Sequence, residues 1–175
     1  MEKKYRLLEN ETIIVENSTL YRIEAMRNFA NVKKGDKGGY VESESNLSHD
    51  GNCWIYDNAL VFEDARVYEN ARVYENAHIS GNTRICGNSC IFDNAQVLDD
   101  GYIFGNAQMS ENGYIYGNAC IYGSSKICDG EVTTSKNETT KQQNKNDACE
   151  KSISKVTATS PLNSQKQLKK NLIRR

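Results

Sequence analysis

The sequence predicts an all-β protein: a parallel β-helix of hexapeptide repeats, preceded by a short β cap and followed by a disordered polar tail. Three observations predict it. An aliphatic residue recurs every six residues at thirteen consecutive positions, from Ile55 to Ile127. Four residues after each of the first twelve stands a small residue, from Ala59 to Ser125. Immediately before the small residue comes Asn nine times, Asp at Asp64 and Asp100, and Ser at Ser124.

The repeat spans 53–130, and "RVYENARVYENA" at 66–77 is its plainest statement. A period of six cannot hold an apolar residue on one face of a helix with 3.6 residues per turn. Twelve of the thirteen aliphatics are β-branched, which favours extended backbone. Asn, Asp and Gly tolerate the left-handed backbone of a sharp corner. Each hexad therefore reads as one short strand and one corner, with the aliphatic and the small residue turned inward. Repeats of this length mark a solenoid. The order aliphatic-x-x-x-small-x resembles the left-handed, three-sided helix of hexapeptide acyltransferases, and the left hand is what that resemblance implies. Three hexads make one turn of about 18 residues, so the repeat predicts about four turns, stacked at about 4.8 Å.

Residues 1–52 follow a different beat. "KKYRLL", "ETIIV" and "TLYRIEAM" read as short strands separated by turns at "ENE" and "ENS", and "KKGDKGGY" reads as a glycine-rich loop. Val41 and Leu47 stand six apart, which places an early start of the repeat near Val41 and a two-residue slip before Ile55. A β-helix has raw strand edges only at its ends, so the expected role of this segment is a cap.

Residues 131–175 differ again. "TTSKNETTKQQNKND" is polar and expected to be disordered, while "NSQKQLKKNLIRR" has the spacing of a short basic helix. Residues 1–130 hold 12 Lys+Arg and 19 Asp+Glu, a net charge of −7; residues 131–175 hold 10 and 4, a net charge of +6. The whole chain of 175 residues carries only −1, which argues against a dedicated nucleic-acid binder except through the tail. "MEKKYRLLEN" lacks the apolar stretch of a signal peptide, and no apolar run is long enough to span a membrane. The expectation is a cytoplasmic protein whose six cysteines are reduced.

The segments "KYRLLENETI", "LYRIEAMRNF" and "NVKKGDKGGYVESESNLSHDGNCWIYDNA", followed by tandem "VYENA" and "IYGNA" units, resemble the YdcK-like hexapeptide-repeat proteins of bacteria and phages. The resemblance covers about residues 4–128. It implies a left-handed β-helix, assembled into an oligomer, with a transferase label that rests on fold. Fold alone does not fix function.

Candidate chemistry is sparse. An acyltransferase of this type needs a His as general base. The chain has His49 and His78, and His78, on a repeat strand and expected to face outward, is the candidate base. An acyl-CoA would be required only under that reading, with a small molecule or sugar as acceptor. No metal site is expected: Cys86 and Cys90 lack a second pair, and Asp57, Glu75, Asp93 and Glu111 read as a solvated acidic column relieved by Arg66, Arg72 and Arg84. The outward position after each aliphatic holds aromatic residues. Tyr56, Tyr74 and Phe92 fall on one wall, Tyr68, Phe104 and Tyr122 on another around Cys86, and Phe62 and Tyr116 on the third. Exposed aromatic ladders are interface candidates. Asn58, Asn76, Asn94 and Asn112 are expected to form a corner ladder that fixes register. The function expected is a non-catalytic scaffold or binding module that self-associates through aromatic walls. The alternatives are acyl transfer, and binding of nucleic acid or a partner by the basic tail.

Overall fold

The computed structural model describes residues 3–134, with side chains through Cys128. The basic tail and its short helix lie outside the described residues. The described chain is all-β apart from one 3-10 turn at Glu44–Asn46. It is a three-walled β-solenoid of about five turns.

From Trp54 to Ile103, and again at Cys120–Ile121, each hexad contributes a two-residue strand that ends on its inward aliphatic residue, while Gln108–Gly117 runs through two hexads as one strand. The first wall stacks Ile55, Val73, Ile91 and Met109 in parallel register. The second stacks Val41, Val61, Ile79, Val97 and Ile115. The third stacks Leu47, Val67, Ile85, Ile103 and Ile121. These residues are buried and form one continuous core. Burying each contributes roughly 1.5–3 kcal/mol before chain entropy is subtracted.

The early start of the repeat is real. Val41 and Leu47 occupy the first turn and pair with Val61 and Val67, twenty residues on, whereas Ile55 pairs with Val73 at the regular eighteen. The two extra residues sit between Leu47 and Ile55, in the loop through Ser48–Asn52. The far end holds a second irregularity. The strand Lys126–Thr134 pairs with Gln108–Gly117, yet Ile127 faces Met109 while Val132 faces Ile115, so the last hexad is one residue short. A fixed period of six misses that rung.

The corner conformation is set by the third residue of each hexad, not by the asparagine. Asp57, Glu63, Glu69, Glu75, Asp93, Asp99 and Glu111 have φ between 54° and 60°, and Gly81, Gly87, Gly105, Gly117 and Gly123 fill the same position in the remaining hexads. The small inward residue is buried where the wall bends. Where it carries a hydroxyl, that group is satisfied within its own corner: Thr83 Oγ1 donates to the Ser80 carbonyl at 2.6 Å and Ser89 Oγ to the Cys86 carbonyl at 2.8 Å.

The cap extends the second wall. Strand β1 (Tyr5–Val15) runs antiparallel to β2 (Ser18–Ala25), β2 runs antiparallel to β3 (Lys37–Val41), and β3 joins Leu60–Val61 in parallel. The expected turn at "ENE" is instead a bulge within β1, between Leu8 and Thr12, so two expected strands are one. The turn at "ENS" stands, with Glu16 and Asn17 at positive φ. The second half of "KKGDKGGY" is strand rather than loop. A Cβ on Gly39 would land on the Ala59 carbonyl oxygen, so only glycine lets β3 lie this close to the first turn.

Unlike the column, the cap is wired by single side chains. Tyr5 Oη donates to the Leu47 carbonyl at 2.8 Å, and the Tyr5 and Phe29 rings meet Trp54 edge-on at 6.2 and 5.3 Å. Buried Asn46 donates through Nδ2 to the carbonyls of Glu63 and Ala65, both at 2.9 Å, supplying by side chain the pairing that a regular rung makes by backbone.

Candidate functional site

The outer faces of the walls carry the candidate residues, and alternation along each strand puts them there. On the first wall Tyr56 and Tyr74 stack at 4.4 Å with planes 12° apart, and Phe92 is half-buried one rung further. Tyr56 Oη donates to Asn31 of the cap at 2.9 Å, so this ladder is partly tied to the cap.

The third wall holds a longer strip. Phe104 and Tyr122 stack at 5.5 Å. The sequence leaves a gap at Cys86 between Tyr68 and Phe104. Tyr102, projecting from the neighbouring column, closes it: its ring stacks on Phe104 at 4.9 Å, and its hydroxyl lies 3.6 Å from Cys86 Sγ. Burial pushes the Tyr68 phenol upward, and neighbouring Cys86 and Tyr102 add to the shift. Tyr102 was missed because it stands before its aliphatic, not after it. It remains 37% exposed, and exposed Arg66 and Arg84 continue its column on adjacent rungs.

The second wall corrects two expectations. Phe62 is fully buried rather than exposed. His78 packs against it with ring centroids 5.0 Å apart and does not face open solvent. Its Nε2 is buried without a hydrogen-bond partner, and desolvation holds its pKa below the ordinary imidazole value, partly opposed by Glu16 and Glu63. Glu16 belongs to the β1–β2 turn, so the cap hairpin reaches this face, which no repeat pattern reveals. The other histidine lies within the cap: His49 stacks on Tyr5 at 4.4 Å and accepts from the Lys4 backbone N–H at 3.2 Å.

The acidic column is not simply solvated. Asp57 accepts from the Glu75 N–H at 3.2 Å and Asp93 from the Glu111 N–H at 2.8 Å. Glu63, Glu69 and Asp99 do the same for Gly81, Gly87 and Gly117. Each carboxylate thus receives the amide of the left-handed residue one turn above. Crowding by Asp93 and Asp57 raises the Glu75 pKa, the hydrogen bond with Asp93 being the main cause. Among the described residues no three His, Cys, Asp or Glu side chains converge as metal ligands, and the five cysteines described are free thiols.

An asparagine ladder also runs at a different corner from the one expected. Asn52, Asn70, Asn88 and Asn106 pass Nδ2–H to Oδ1 along three successive turns at 3.2–3.3 Å, while the expected column shows Asn76 to Asn94 at 3.4 Å. Beside the longer ladder lies a shallow groove lined by Asn52, Asn70, Arg72, Asn88 and Cys90. Burial raises the Cys90 thiol pKa against the pull of Arg72, so this groove offers amides, a guanidinium and a neutral thiol.

The architecture defines a β-solenoid of hexapeptide repeats with a β cap. Residues 65–81 match the family model described as YdcK beta solenoid repeat. Over 62 residues the chain is 37% identical to a protein named "Uncharacterized acetyltransferase YdcK" from Escherichia coli (strain K12), covering 31% of this chain and 19% of that relative. Over residues 65–81 the repeat is thus similar to that solenoid repeat. The chain spans about a fifth of the length of that curated relative.

Proposed function

We propose that this protein is a rigid scaffold or binding module that self-associates through the aromatic strip of its third wall. The observation that supports this reading is the stack Tyr102, Phe104, Tyr122, a connected set of rings on an outer face that also carries Tyr68, with Arg66 and Arg84 beside it. Aromatic residues and arginine are the types enriched at the desolvated centres of protein interfaces. The stack of turns beneath holds these rings at fixed spacing, so little ordering entropy is lost on association. Light scattering of the full chain tests the reading. We expect an oligomer for the natural sequence and a smaller species for Tyr102→Ser/Phe104→Ser/Tyr122→Ser. A Tyr56→Ser/Tyr74→Ser/Phe92→Ser variant reports whether the first wall shares the contact. A full chain that runs as a monomer would sink the proposal.

A second reading, acyl transfer, is favoured by the name of the relative and by the polar groove at Arg72. His78 stays its candidate base: desolvation keeps the imidazole neutral near pH 7, as a base must be. An acyl-CoA would supply the acyl group, and a small amine or sugar hydroxyl would accept it. Acetyl-CoA consumption in the presence of such acceptors, abolished in both Arg72→Ala and His78→Ala, is the expected signature. Arg72 and His78 stand on different walls, so turnover that survives both substitutions rejects each of them as part of a catalytic site.

A further inference from the structure

A buried amine and a buried thiol face each other in the cap, and neither functional reading uses them. Lys4 and Cys53 are both fully buried. Lys4 Nζ lies 3.2 Å from Cys53 Sγ. It is aimed there by donating to the Cys53 carbonyl at 2.9 Å and the Asp50 carbonyl at 3.4 Å, with the Phe29 ring 5.2 Å away. Among the described residues no other cysteine hydrogen-bonds a lysine. Burial disfavours charge on both groups: it lowers the Lys4 pKa and raises that of Cys53, each partly opposed by the other. The pair therefore has ready access to a neutral amine beside a neutral thiol.

We propose that Lys4 and Cys53 form an oxidant-sensitive modification site that closes into a covalent nitrogen–oxygen–sulfur bridge under peroxide. The first peroxide converts the thiol to a sulfenic acid: the sulfur–oxygen bond forms and one water leaves. The second takes up two electrons as the nitrogen–oxygen bond forms. One amine hydrogen and the sulfenic hydrogen leave with it as two waters. Excess dithiol reverses the bridge, its oxygen departing as water. Oxidant reaches the sulfur through the loop before Cys53, whose residues Asp50, Gly51 and Asn52 are exposed. This loop carries the two-residue slip, and the Asn52 and Cys53 amides share one carbonyl, that of Glu69, in place of regular rungs. The bridge would staple the chain's start to the first solenoid turn across 49 residues.

Hydrogen peroxide treatment of the full chain, followed by proteolysis and mass spectrometry, tests the assignment. The expected product is a crosslinked peptide pair containing Lys4 and Cys53, heavier than its parts by one oxygen and lighter by two hydrogens, and lost on reduction with dithiol. Oxidation should raise the melting temperature of the natural chain and leave that of Lys4→Arg, which keeps the cation but not a primary amine, unchanged. Recovery of Cys53 as a free thiol, as a sulfinic or sulfonic acid, in a disulfide, or bonded directly to nitrogen would overturn the proposal. So would an equal melting shift in Lys4→Arg.

Discussion

The cap and the column solve the same problem by opposite means. In the column every rung repeats its neighbour. Register is enforced many times over by backbone ladders, by carboxylates that take the amide one turn above, and by asparagines that bond their counterparts eighteen residues away. In the cap, beyond the β1–β2–β3 ladder, each side-chain contact that ties it to the column is of its own kind: Lys4 to Cys53, Tyr5 to Leu47, Asn46 to Ala65. Redundancy makes the column tolerant of the loss of any one corner contact. The cap depends on contacts that nothing nearby duplicates.

That contrast orders the expected effects of substitution. The largest belongs to the spine. Ile79→Ala in the middle of the second wall should cost about 2–5 kcal/mol in chemical denaturation, because the turns above and below cannot collapse into the space it leaves. A cost under half that range would mean that the stack compresses. Next comes Gly81→Ala. Gly81 has φ of 73°, and an added Cβ would strike the backbone of Asp99 one turn above. We expect a loss exceeding the roughly 1 kcal/mol that a left-handed residue costs by itself. Similar stability in Gly81→Ala and the natural chain would show that the corners relax.

In the cap, Lys4→Met leaves the Cys53 carbonyl unpaired inside the protein and should cost about 1–3 kcal/mol. Hydrogen exchange should quicken in β1 and in residues 44–53 while the column stays protected. Uniform quickening would refute the division into two differently held regions. In the column, Asn88→Ala should cost only about 0.5–1.5 kcal/mol, since the flanking rungs keep the register.

The smallest effect concerns pH. His78 titrates below its ordinary value near 6.5 because burial disfavours the imidazolium. As pH falls below about 6.5 the unfolded chain takes up this proton and the folded chain resists it. His78 thus contributes stability that is present above that pH and lost as pH falls toward the lower folded value. Denaturation midpoints should decline over this window in the natural chain and flatten in His78→Gln. Equal slopes would show that Nε2 finds a partner in solution.

The solenoid was legible because its signal is redundant: thirteen spaced aliphatics outvote any one exception. Even the two-residue slip before Ile55 could be read from Val41 and Leu47. The short hexad between Ile127 and Val132 was not legible, because one missing residue shifts the beat without changing composition. On the surface, Tyr56, Tyr74, Phe104 and Tyr122 were placed correctly by period alone. Tyr102 was not, because side chains lean sideways across columns, and the period does not show that Phe62 is buried with His78 packed on it.

The sequence by itself determined the stacked three-walled column and the faces that its aromatic residues occupy, since a period of six with β-branched spacing permits few other backbones. Tertiary structure alone decided which outward residues stay exposed, how the rings join across Cys86, and that a lysine near the start meets a cysteine far along the chain. Such contacts arise where two segments of unlike pattern pack together. Their geometry depends on how both chains pass one another in space, which neither pattern encodes.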